Sequence, residues 1–304
     1  MPVRLGISPI GWSNDDLPEL GGDTPLDTCL AEARLVGYEG VELGHKFSRD
    51  PAVLQPILER FGLTLISGWY SGRLLERSVQ AEIAAIEPHL SLLVAMGCAV
   101  LVYAETSASI AGDRRRPLSG RPRLGASDWH DFGARLTELA DHLSACGIGL
   151  VYHHHMGTVI ESETEIDRLM AVTGDKVGLL LDTGHAVYAG VDPAALIRRH
   201  GHRIKHVHCK DVRREVLARV RADDASFLDA VLDGVFTVPG DGCIEFSGVL
   251  AELAAADYSG WLVVEAEQDP EKAPPLAYAR LGFDQLSAAA VCAGLVREER
   301  RRSG

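Results

Sequence analysis

Eight short apolar runs, each closing on polar or glycine residues and each followed by a stretch of helical periodicity, constrain this chain more than any other feature. The runs are residues 4–8, 40–43, 64–68, 99–104, 149–152, 177–181, 204–207 and 261–264. They are rich in Val, Ile and Leu, as strands buried on both faces of a parallel sheet must be. Between and after them the spacing predicts helices over 26–36, 50–61, 81–96, 128–145, 162–172, 193–200, 246–255 and 276–297. Several of these open on Ser, Asp or Pro at the capping position. Strand then helix, eight times over, predicts an α/β fold of the (β/α)8 TIM barrel type. An open doubly wound sheet competes poorly. No G-x-G-x-x-G follows the first run, and such a sheet seldom places polar clusters after so many strands.

A length of 304 residues suits one such barrel, so the expectation is a single domain over 1–304 ending in a helix and a short charged tail. With 46% hydrophobic and 24% charged residues the chain can bury a sizeable core. No apolar run approaches the roughly 20 residues that span a bilayer, and Met1-Pro2-Val3-Arg4-Leu5 has none of the succession of a signal peptide. Six dispersed cysteines without a C-x-x-C pair fit a reducing cytoplasm, with Cys209 singled out as a reactive candidate. A formal net charge of -13 repels phosphate backbones and argues against a nucleic-acid partner. The basic runs Arg114-Arg115-Arg116 and 297–302 read as a solvated loop and a solvated terminal helix. Two longer connections, 107–126 and 211–242, the second containing a helical piece, are candidates for covering loops.

In a barrel the strand C-termini form the reactive face, so the residues at which each run stops matter most. The fifth run ends in Tyr152-His153-His154-His155 and the sixth in Asp182-Thr183-Gly184-His185. The seventh passes through His206-Val207-His208-Cys209-Lys210-Asp211 and the eighth meets Glu265-Ala266-Glu267. Residues two apart share a strand face, which groups His153 with His155, His206 with His208 and Glu265 with Glu267. Four strand ends carrying nitrogen and carboxylate ligands point to a divalent metal site holding Mn, Co, Fe or Zn, with Asp182, His208 and Glu265 foremost. His154, His202 and His206 read as ordinary structural histidines. Trp12, Glu42 with His45-Lys46, Trp69-Tyr70 and Glu105 end the first four runs, where they suit a polyol substrate. Pro239-Gly240-Asp241-Gly242 has glycines fit for positive φ and close backbone approach.

At these residues the sequence resembles the sugar isomerase and endonuclease IV-like barrel superfamily, the xylose isomerase-like TIM barrels, and within it the inosose dehydratases. Asp182-Thr183-Gly184-His185 and His208-Cys209-Lys210-Asp211 carry the superfamily likeness. The dehydratase likeness rests on Gly6 to Asp15, Gly44-His45-Lys46-Phe47 and Tyr152-His153-His154-His155-Met156-Gly157-Thr158. Ser8 departs from the usual Asn, and His153 stands where many relatives have Glu.

The resemblance implies a metal, Mn or Co, held by Asp182, His208 and Glu265 with His153 as fourth ligand, and glutathione as a further cofactor. No segment of this sequence marks a glutathione site. It also implies a hydro-lyase of inositol catabolism that dehydrates 2-keto-myo-inositol to a trihydroxycyclohexane-1,2-dione through an enolate. His155 or Glu267 would serve as the base. Lys46 belongs to the same catalytic set and, with His45 and His185, would hold substrate oxygens; Trp12, Glu42, Trp69 and Glu105 complete the substrate side. Barrels of this kind commonly form homo-oligomers. The competing readings are a metal-dependent sugar or polyol isomerase or epimerase and a non-catalytic sugar-binding barrel.

Overall fold

A computed structural model describes residues 3–296. The first seven strands are β1 (Arg4–Ile7), β2 (Gly40–Leu43), β3 (Thr64–Gly72), β4 (Val100–Glu105), β5 (Gly149–His153), β6 (Val177–Asp182) and β7 (Ile204–Cys209). A short antiparallel pair follows, β8 (Asp211–Val212) with β9 (Phe236–Thr237), and then β10 (Trp261–Val264). All strands but β8 and β9 form one closed parallel barrel in the order β1-β10-β7-β6-β5-β4-β3-β2. The barrel expected from the sequence is therefore the observed fold.

Registers such as Val263↔His208 and Asp182↔His208 align the C-terminal ends of β10, β7 and β6, which is how the polar strand ends come to share one rim. The strands are buried along nearly their whole length, consistent with their Val, Ile and Leu content. Outside them, helices such as Leu26–Val36 and Asp128–Ala145 turn one apolar stripe inward.

One helix lies wholly outside the sequence expectation. Thr183–Ala189 begins directly after β6, because Asp182 caps it by accepting the His185 N–H at 2.8 Å. Arg214–Ala222 and Phe227–Leu232 fill the segment between β8 and β9. That segment was expected to be a covering connection with one helical piece; it carries two helices, and its Phe227 and Phe236 are fully buried. β3 also runs four residues further than expected, to Gly72, carrying Trp69 with it. The last helix is Pro275–Cys292, and the expected basic tail 297–302 lies outside the described residues. Arg114 pairs with Asp229 and Arg115 with Asp113, both arginines exposed, as a solvated loop requires. Among the described residues no helix is long and apolar enough to cross a membrane.

The turn after β9 is tied to the barrel by Asp211. Its buried carboxylate accepts the backbone N–H groups of Val212, Gly240, Gly242 and Ile244 at 2.8–3.1 Å. Gly240 has a φ of +94°, and a Cβ on Gly242 would meet Asp211 Oδ1 at 2.3 Å, so both glycines are required. Asp211→Ala leaves several buried N–H groups without an acceptor. Denaturant unfolding is expected to show a loss of about 3 kcal/mol.

Candidate metal centre

Four buried side chains from β5, β6, β7 and the end of β10 converge inside the C-terminal rim. His208 Nδ1 lies 2.8 Å from Glu265 Oε2 and 3.5 Å from Asp182 Oδ2, while His153 Nε2 is 3.4 Å from the same Asp182 oxygen. Together they form a group able to hold a metal ion. Of the nine buried side-chain polar atoms without a hydrogen-bond partner among the described residues, three are atoms that meet in it: Asp182 Oδ2, His208 Nδ1 and Glu265 Oε2. Buried polar atoms rarely go unpaired, so this concentration is what a cation site leaves behind when only protein atoms are counted. Two carboxylates and two imidazoles fit a divalent ion.

Beside this group lies a second cluster, His155, His185 and Glu267, close enough for metal binding as well. Here a cation is already in place. The Lys210 amine is completely buried, 2.6 Å from Glu267 Oε2, 3.1 Å from Glu265 Oε1 and 3.3 Å from His185 Nε2. Burial alone would lower its pKa, yet Asp182, Glu265 and Glu267 raise it, so the ammonium stays charged. Its stem passes over Gly184, where a Cβ would meet Lys210 Cγ at 2.5 Å; the glycine after Asp182-Thr183 makes room for it.

The two imidazoles of the second cluster are held in opposite tautomers by one residue. His155 Nδ1 is 2.8 Å from the Met156 carbonyl, which can only accept, so this nitrogen carries the proton and Nε2 is a free base. The Met156 N–H donates to His185 Nδ1 at 3.2 Å, so His185 carries its proton on Nε2. Burial, with neighbouring positive groups, holds both imidazoles well below their usual pKa and therefore neutral. The Phe227 ring packs against both at 4.9 and 5.8 Å between centroids.

A cavity of about 120 Å³ opens onto these groups and is lined by His153, His155, His185, His208, Glu265 and Glu267, with Glu42 and Trp69. Trp69 is 41% exposed and sets its ring edge-on to His153 and His155 at 5.3 and 5.7 Å. Glu42 reaches across the barrel from β2. Its Oε1 accepts from Ser67 Oγ at 2.6 Å and lies 2.9 and 3.1 Å from the Nε2 atoms of His206 and His208.

A family model described as xylose isomerase-like TIM barrel matches residues 30–288. The rhizopine catabolism protein MocC of Rhizobium meliloti is 54% identical over 294 residues, covering 97% of this chain and 90% of its own. The inosose dehydratase of Geobacillus thermodenitrificans is 46% identical over 279 residues, 91% of this chain and 94% of its own. The chain belongs to the inosose dehydratase branch of the xylose isomerase-like TIM barrels. Among solved structures, L-ribulose 3-epimerase superposes with a TM-score of 0.67 at 16% identity, covering 99% of this chain and 98% of that one. The probable 3-DHS dehydratase AsbF of Bacillus anthracis gives 0.67 at 13% identity, covering 92% and 98%. At these identities both show the shared fold alone.

For this member of the inosose dehydratase branch, the structure gathers Glu42, Trp69, His153, His155, Asp182, His185, His208, Glu265 and Glu267 at one cavity. Four other residues expected there are engaged elsewhere. Lys46 donates to the carbonyls of Gly21, Gly22 and Thr24 at 2.5–3.0 Å, fastening the loop after β1. His45 is bound to Asp15 at 2.5 Å and to Ser13 at 3.2 Å in the same loop. Trp12 is folded under that loop, its Nε1–H on Glu32 at 2.6 Å, and Glu105 is consumed by Leu74, Ser107 and Tyr103. The buried Cys209 thiol is pushed up by burial, which removes the reactivity suspected of it. His154 points away, its imidazole pushed down to about 3 by burial.

Lys210 was missed, although its signal was present: it lies two residues beyond His208 and four beyond His206, on the face they share. Asp15 and Asp16, which line the cavity mouth, come from a loop whose course no local pattern revealed.

Proposed function

We propose that this protein is a metal-dependent hydro-lyase that removes water from 2-keto-myo-inositol to give a trihydroxycyclohexane-1,2-dione in inositol catabolism. One observation carries the reading: His153, His208 and Glu265, which converge with Asp182, line the same cavity as His155, a neutral imidazole with a free Nε2, and Asp182 Oδ2, His208 Nδ1 and Glu265 Oε2 have no hydrogen-bond partner. The 42–46% identity to several inosose dehydratases supports the substrate. Manganese or cobalt suits the mixed carboxylate and imidazole set.

A divalent cation, when bound, supplies Lewis-acid charge that stabilises the negative charge developing at the substrate ketone. The protein's own groups move the proton. His155 Nε2 takes it from the carbon beside the ketone, and the resulting imidazolium keeps its Nδ1–H on the Met156 carbonyl. The electron pair of that C–H bond becomes a carbon–carbon double bond as the β carbon–oxygen bond breaks. His155 then returns the proton to the departing hydroxyl, which leaves as water, and the enol relaxes to the dione. No electrons are exchanged with any other reactant. His185, which lines the cavity beside His155, is assigned to binding a substrate oxygen. Glu267 is engaged by Lys210 Nζ at 2.6 Å, which leaves His155 Nε2 as the unengaged base.

Trp69 covers the carbon face of the ring. Trp69→Ala is expected to raise KM by about 3- to 10-fold with a smaller effect on kcat, as steady-state kinetics will read.

The test is an assay of chelator-treated protein on 2-keto-myo-inositol, with manganese or cobalt restored and with or without glutathione. Mass spectrometry is expected to show loss of one water, abolished by chelation and recovered with metal. Isomerisation without loss of water, or turnover indifferent to chelation, would overturn the reading. A second reading, a substrate from rhizopine catabolism, is favoured by the 54% identity to MocC. Faster turnover of such a substrate in the same assay would establish it.

A further inference from the structure

We propose that Glu42 is a positioning residue that fixes which nitrogen of His208 faces the cation and how tightly the cation is held. The inference rests on the metal reading above and assigns Glu42 to the support of a ligand, where the sequence had suggested contact with substrate.

Both nitrogens of His208 face carboxylates, but only Nε2 makes a hydrogen bond. Nε2 lies 3.1 Å from Glu42 Oε1, and because an ionised carboxylate only accepts, Nε2 carries the proton. Nδ1 is then the nitrogen that faces Glu265 Oε2 and Asp182 Oδ2, and it has no hydrogen-bond partner. A carboxylate behind an imidazole in this way fixes the tautomer, locks the ring and raises the basicity of the opposite nitrogen.

Glu42 is itself held rigidly. It stands on β2, separated from β7 around the barrel wall by β1 and β10, so its side chain crosses the interior to reach His208. Ser67 on β3 and His206 on β7 bring two further donors to the same oxygen at 2.6 and 2.9 Å. His206 and His208 share a strand face, so one carboxylate oxygen serves both.

Glu42, His206 and His208 also lie close enough to suggest a separate metal site. Their contacts are of hydrogen-bond length, the two imidazoles supply the protons, and Ser67 adds a third donor. None of the atoms involved is left without a partner, in contrast to His208 Nδ1, Asp182 Oδ2 and Glu265 Oε2 on the other side of the ring. The network therefore orients a ligand and does not form a second centre.

The test uses the whole protein, stripped of metal, with manganese added and free manganese followed by electron paramagnetic resonance. Glu42→Gln is expected to weaken manganese binding about 10- to 100-fold. His206→Asn, which leaves the pair of Glu42 and His208 in place, is expected to bind close to wild type. Circular dichroism of each metal-free variant checks that it is folded. A readout that needs no variant is the histidine nitrogen-15 spectrum of wild-type protein loaded with diamagnetic zinc. It should place metal on Nδ1 of His208 and the proton on Nε2. Glu42→Gln binding manganese as tightly as wild type, or zinc on His208 Nε2, overturns the inference. Wild-type protein that binds no manganese overturns the metal reading itself.

Discussion

Replacing His155 by Gln is expected to lower turnover by about 10²- to 10⁴-fold, the usual contribution of a positioned proton-transfer group. Affinity for the cation should stay close to wild type, because His155 is not one of the four converging ligands. Gln keeps a hydrogen-bonding side chain against the Met156 carbonyl but offers no basic nitrogen to the cavity, so the loss isolates the proton transfer. If His155 takes the proton and returns it, both halves of the reaction fail together. Exchange of the substrate α-hydrogen with solvent deuterium should then fall in parallel with dione formation. Exchange that survives in His155→Gln would place the base elsewhere, with Glu267 the next carboxylate on the cavity wall.

Lys210→Met should act on stability as much as on chemistry. The Lys210 ammonium lies within 3.5 Å of Asp182, Glu265 and Glu267, and all four groups are buried. Methionine fills similar space, yet it leaves Glu267 without a counter-charge. Removing one partner of a buried charge network typically costs about 3–5 kcal/mol, and a loss of this order is expected in chemical denaturation of the metal-free protein. Saturating manganese should recover part of it, since a bound cation supplies positive charge beside Asp182 and Glu265. A variant as stable as wild type without metal would mean that the Lys210 ammonium does not hold these carboxylates together.

Where the sequence spoke clearly, it did so through periodicity. The strand runs stand out because a doubly buried strand needs an unbroken apolar stretch, and their ends stand out because polarity changes abruptly at Asp182 or Glu265. Parity then separated His153 and His155 from His154, and the structure keeps them apart in the same way. The helix Thr183–Ala189 escaped notice because seven residues are too few for a helical period, and its first turn reads equally well as a polar strand end. Lys46 and His45 follow β2 as an active-site pair would, but the β1 loop that claims both is placed by tertiary contacts. Glu105 likewise ends its strand at the right height and is then taken up by two backbone amides and a tyrosine hydroxyl. Local pattern predicts the height of a residue in the barrel; which neighbour binds it is decided by chain distant in sequence.

The order of strands around the barrel has a consequence for biosynthesis. β5, β6, β7 and β10 are consecutive neighbours in the wall, and all four converging ligands lie in the second half of the chain. β10 is also the strand that joins β7 to β1 and closes the ring. A ribosome therefore releases the last ligand, Glu265, only with the strand that completes the barrel. Until then the emerging chain offers an incomplete set of donors on an open sheet edge. A cation taken up at this site would therefore meet the complete set of four donors only once the ring has closed.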